Sequence, residues 1–185
     1  MLEHHAHIIK GRAVVANDWS VLRLDEGQSA ADAIVPDGNI IVPLAVWQAH
    51  KDALSARAEL GVWIASDERP EVLKGELDKF AVVAVDFPKF TDGRGYSIAY
   101  NLRMRLGYKG ELRAIGDVLR DQLFQMHRTG FDAFATRQDR NIHDALKGLT
   151  DFSEVYQASV DEKAPLFRRH ERDVRIESSD VGYGI

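Results

Sequence analysis

Phe80-Ala-Val-Val-Ala-Val-Asp86 runs directly into Phe87-Pro-Lys-Phe-Thr-Asp-Gly-Arg-Gly-Tyr-Ser97. Val82, Val83 and Val85 are β-branched and no charge interrupts the run before Asp86, so this segment reads as a strand buried on both faces. The loop that follows is broken by glycines, carries one arginine, and opens a helical pattern. A buried strand, a glycine-rich loop and a helix start form the unit from which α/β proteins build ligand sites.

The same unit repeats on either side. Gly61-Val-Trp-Ile-Ala65, Leu112 to Ile115 and Phe131 to Ala135 are three more candidate strands. Between them, Ile98, Leu102 and Leu106 mark one helical face, and Leu119, Leu123 and Met126 mark another. Gly107 and Gly130 suit the ends of these helices. Upstream, Val46, Ala49, Ala53 and Leu54 follow Pro43 on a helical face. Downstream, Ile142, Ala145, Leu146, Leu149 and Phe152 define a last helix.

Four alternations at intervals of 20 to 30 residues predict an α/β fold. The expected form is an open, mostly parallel sheet of about four βα units, in three layers, with half a barrel completed by a partner as the alternative. Arg12 to Ala16 and Trp19 to Leu24 flank Asn17-Asp18, which predicts a β-hairpin at the sheet edge. The expected domain organisation is a mobile N-terminus over 1–10, a single α/β domain over 11–158, and a polar, disordered tail over 159–185. His4, His5 and His7 fall in the frayed start on this reading, with no metal site.

Composition narrows the function classes. The 185 residues are 45% hydrophobic and 29% charged, with a net charge of −5, which offers no basic stripe for a nucleic acid. Cysteine is absent, which removes disulfides, thiolate metal sites and thiol redox chemistry. No apolar stretch is long enough for a membrane span, and the first residues lack the pattern of a signal peptide. A cytoplasmic protein is expected.

Candidate site residues lie just beyond the strand ends: Ser66 and Asp67; Asp86 with Asp92, Gly93, Arg94, Gly95, Tyr96 and Ser97; Gly116 and Asp117; and Thr136 with Arg137. Arg113 lies inside a strand and is open to either face. Gly93 and Gly95 would let a ligand approach the backbone, and helix-start N–H groups with Arg94 would hold an anion such as phosphate, sulfate or sulfite. The competing structural role has Asp92 capping the helix and Arg94 paired with Asp86 or Asp117. No G-x-G-x-x-G, P-loop or G-x-S-x-G pattern accompanies the site, so no cofactor is identified.

Asp92-Gly-Arg-Gly-Tyr-Ser97, Leu102-Arg103, Gly110-Glu-Leu-Arg-Ala-Ile-Gly-Asp-Val118, Asp121-Gln122 and Gly130-Phe-Asp132 resemble an uncharacterised bacterial family labelled as oxidoreductases linked to sulfite reduction. The resemblance runs from about Ile40 to Tyr156, and more loosely over Gly11 to Leu24. It implies an accessory role in assimilatory sulfite reduction, with sulfite reductase or its electron donor as partner. The alternative it leaves open is an oxidoreductase binding a flavin, a nicotinamide or a sulfur oxyanion at the Gly-Arg-Gly loop.

Overall fold

The computed structural model describes residues 1–164 and residue 168. Most of the tail expected over 159–185 therefore lies outside the described residues. Nine strands form one mixed sheet: β1 (Leu2–His4), β2 (His7–Lys10), β3 (Ala13–Ala16), β4 (Ser20–Leu22), β5 (Ile40–Pro43), β6 (Leu60–Ile64), β7 (Val82–Phe87), β8 (Glu111–Gly116) and β9 (Ala133–Phe134). Their spatial order is β1-β4-β5-β6-β7-β8-β9-β2-β3.

From β4 to β9 the strands are parallel and lie side by side in chain order. That order corrects the expected open sheet. A doubly wound sheet needs a point where strand order reverses, because right-handed crossovers then place helices on both faces. Here the order from β4 to β9 never reverses, so its crossovers cover one face, and the sheet curls around the other into a half-barrel. Both architectures share the same strand–helix alternation, which is why periodicity does not separate them.

The crossovers carry α1 (Leu44–Ala49) and α2 (Lys51–Leu54), then α3 (Arg94–Met104), then α4 (Leu123–Thr129), with α5 (Ile142–Lys147) after β9. Strand side chains alternate between faces. Val83, Val85 and Phe87 of β7 join the larger core beneath the helices, with Ile98 and Leu102 of α3. Val82 and Ala84 turn inward, onto a second core with Ile8, Val21, Ile41, Ile115, Ala133 and Ala135.

The N-terminal strands complete the curl. β1 pairs antiparallel with β4, and β2 pairs antiparallel with both β3 and β9. β1 and β2 are seven positions apart in the sheet, about 34 Å if it were flat, yet two residues, His5 and Ala6, join them. Such a link spans only about 11 Å, so the two sides of the sheet must approach one another. Two sequence expectations change here. Residues 1–10 hold two strands in place of a frayed start. The segments flanking Asn17-Asp18 are not a hairpin, since β3 pairs with β2 and β4 pairs with β1 and β5.

Asn17 is the strap across the gap. Its backbone N–H donates to the Ala6 carbonyl at 3.0 Å, and its Nδ2 donates to the carbonyls of His5 at 2.8 Å and Trp19 at 2.9 Å. Its Oδ1 accepts from the Trp19 N–H and from Arg113 Nη1 at 3.0 Å. Arg113 therefore lies on the concave side, buried and paired with Glu111.

Candidate functional site

The C-terminal ends of the parallel strands form a rim, and the predicted residues settle there into three separate groups. The first is the Gly-Arg-Gly loop. Arg94 grips Asp92 two residues earlier: Nε donates to Oδ1 at 3.0 Å, Nη2 to Oδ2 at 2.7 Å, and the Arg94 backbone N–H also donates to Oδ1. Ser66, at the end of β6, donates to Asp92 Oδ2 at 2.7 Å. The Arg94 hydrogen bonds, and then that of Ser66, hold the Asp92 carboxyl well below its ordinary range. The Arg94 side chain is 60% exposed. Among the described residues it forms no ion pair with Asp86 or Asp117, and it does not meet Arg137.

The glycines act differently from the expectation. Neither has a positive φ: Gly93 sits at −85° and Gly95 lies inside α3. Gly95 is required for packing, since a Cβ there would lie 2.5 Å from the Phe87 ring. Tyr96 packs edge-on to the same ring at 5.4 Å, and Ser97 and Asp67 are exposed.

The second group joins Asp117 to Arg137, Oδ1 to Nη1 at 3.1 Å. Asp117 caps no helix. Its other oxygen accepts the Phe90 N–H at 2.8 Å, while Gln122 Nε2 donates to the Phe90 carbonyl at 3.2 Å. The loop after β7 is thus pinned from the next βα unit, with Phe90 left 43% exposed. Gly116 permits this arrangement through a φ of +90° that a side chain would strain. Arg137 also binds Asp139 at 2.8 Å, and Thr136 beside it is buried.

The third group was not anticipated. Asp86 turns toward Arg23, which donates Nη2 to Asp86 Oδ1 at 2.8 Å and Nε to Glu3 Oε2 at 3.0 Å. His5 Nε2 meets the other Glu3 oxygen at 3.0 Å. The Arg23 guanidinium lies 4.9 Å from the centre of the Trp63 ring. The His5 hydrogen bond, and then Arg23 against the opposing effect of burial, lowers the Glu3 carboxyl from 4.5 to about 2. Burial pulls Arg23 down, but its bonds to Asp86 and Glu3 outweigh that and raise it. The available signal was parity: Arg23 shares a strand face with Val21, and Asp86 shares one with Ala84.

Arg94 and Arg137 thus lie against carboxylates on the rim, while Asp86 belongs to a third, more interior group. The described residues contain no helix long and apolar enough to cross a membrane.

Residues 61–167 match the model of a family described as bacterial protein of unknown function (DUF934). No curated protein and no solved structure matches the chain.

Proposed function

We propose, for a chain that belongs to the bacterial protein family of unknown function DUF934, an accessory role in assimilatory sulfite reduction in the cytoplasm. It engages sulfite reductase or its electron donor through the loop after β7. The pathway comes from the resemblance carried by the Asp92 to Ser97 and Gly110 to Val118 segments. The observation that carries the mode of action is the pinned loop. Asp117 and Gln122 occupy the Phe90 backbone N–H and carbonyl, so the loop holds its shape while the Phe90 ring, Lys89 and Arg94 face solvent.

A rigid loop offering an aromatic ring beside an arginine suits docking, because both residue types are enriched where protein partners bind tightly. An enzyme acting on an anion at this loop would need Arg94 uncommitted, and Asp92 already neutralises it on two nitrogens. The oxidoreductase alternative draws on no comparable arrangement at this loop.

Sulfur-source growth tests the pathway. A deletion strain of the host bacterium should grow slowly on sulfate or sulfite and normally on sulfide. Equal growth on all three would overturn the assignment.

A further inference from the structure

On the rim beyond β9 lies a cavity of about 220 Å³, to which the loop after β7 contributes no lining residue. His5 and His7, from the link between β1 and β2 and the start of β2, form one wall. Thr136, Arg137, Gln138 and Arg140, from the loop after β9, form the other. Ala6 and Ile142 complete the lining, and none of the eight residues is acidic. A neighbouring cavity of about 470 Å³ shares Thr136 and Arg140 but adds Asp121, Asp139 and Asp144, so the two differ in charge.

Two features of the smaller cavity call for a ligand of one kind. Thr136 lines the cavity, and its hydroxyl, which is reached by solvent, makes no hydrogen bond to any described residue. A hydroxyl so placed can give or take a hydrogen bond with a ligand in the cavity. The guanidinium of Arg140 has its nearest carboxylate, Asp139, at 3.7 Å, and Asp139 already holds Arg137 at 2.8 Å. Asp117 fixes Arg137 at a further nitrogen, and neither carboxylate lines the cavity. Arg137 is therefore fixed and already neutralised, which leaves the loosely engaged Arg140 as the available cation, sharing the lining with the Thr136 hydroxyl and two imidazoles. Glu3 orients the nearer imidazole through His5 Nε2.

We infer that this cavity binds a small oxyanion of the sulfate, sulfite and phosphate class. The Arg140 guanidinium fork can match two such oxygens, and a hydroxyl supplies a directional third contact. The volume is below the roughly 300–1,000 Å³ of drug-sized ligand sites. It holds about seven waters at ~30 Å³ each, which suits one hydrated anion and excludes a dinucleotide. The site rests on these side chains alone and stands or falls separately from the accessory role.

Calorimetric titration of the full chain with sodium sulfate, sodium sulfite and sodium phosphate, against chloride at matched ionic strength, tests it. Saturable one-site binding of at least one oxyanion is expected. Arg140→Ala should weaken that binding about tenfold or more, as loss of a charge-assisted hydrogen bond implies, and Thr136→Val should weaken it as well. Arg140 is 65% exposed, so its variant reports on the site even if Thr136→Val folds poorly. The tightest of the three anions separates a sulfur oxyanion from a phosphate source. Binding no stronger than chloride, or undiminished binding by Arg140→Ala, would overturn the inference.

Discussion

Arg23 Nη2 lies 2.8 Å from Asp86 Oδ1, joining residues 63 positions apart across the concave face of the half-barrel. The same guanidinium holds Glu3, so β1, β4 and β7 meet at one cation. Both partners are largely covered, with side-chain exposures of 20% and 13%. Removing the cation strands two carboxylates away from bulk water. Arg23→Met should therefore destabilise the fold by about 3 kcal/mol, and Asp86→Asn, which keeps an oxygen to accept the bond, by less. Urea unfolding measures both. A loss below about 1 kcal/mol for Arg23→Met would mark the pair as an ordinary surface bridge.

The Glu3 carboxyl gives this network an acid signature. Its folded value of about 2 lies below the ordinary 4.5. The stability it adds is thus complete above 4.5 and lost as pH falls from there toward 2. Glu3→Gln should make the wild-type decline over that window shallower. Comparing the two proteins cancels the other titrating groups, including Glu68 and Asp132, whose values are raised mainly by burial. Parallel acid limbs in urea midpoints would show that His5 and Arg23 do not hold Glu3 in solution.

The two glycines of the Gly-Arg-Gly loop should respond unequally. A methyl at Gly95 meets the buried Phe87 ring at 2.5 Å, whereas one at Gly93 finds only Tyr96 at 3.9 Å. Gly95→Ala should cost about 1–3 kcal/mol by overpacking, and Gly93→Ala should stay within about 0.5 kcal/mol. Thermal and urea unfolding compare them directly. Equal costs would show that the loop needs backbone freedom at both positions.

Asn17 should behave as a closure residue and not as a turn residue. Its amide group satisfies two carbonyls, one N–H and Arg113. Asn17→Ala should cost about 2–4 kcal/mol, since several partly buried partners lose their bonds together. Asn17→Gly, the replacement a hairpin turn would welcome, should cost at least as much. A neutral Asn17→Gly in urea unfolding would favour the turn.

The extent to which the chain could be read in advance follows from range. The strands near Gly61, Val82, Leu112 and Ala133, and the helices near Ile98 and Leu123, show in periodicity because their patterns are local. The direction of winding leaves no periodic trace, and β1 to β4 are three or four residues long with partners at both sides of the sheet. At the site, Asp117 and Arg137 do come together. Arg94 instead takes the nearest carboxylate in the chain, Asp92, and Asp86 takes a cation 63 positions away. The first contact was within reach of short-range reasoning; the second required the closed curl.

The docking role is tested most directly by affinity capture of the tagged full chain from its host bacterium at native expression, followed by identification of bound proteins. A sulfite reductase component or its electron donor is expected in the wild-type capture, reduced about tenfold in Phe90→Ala and reduced in Arg94→Ala, with both variants folded. Capture without any such component, or undiminished by Phe90→Ala, would contradict it.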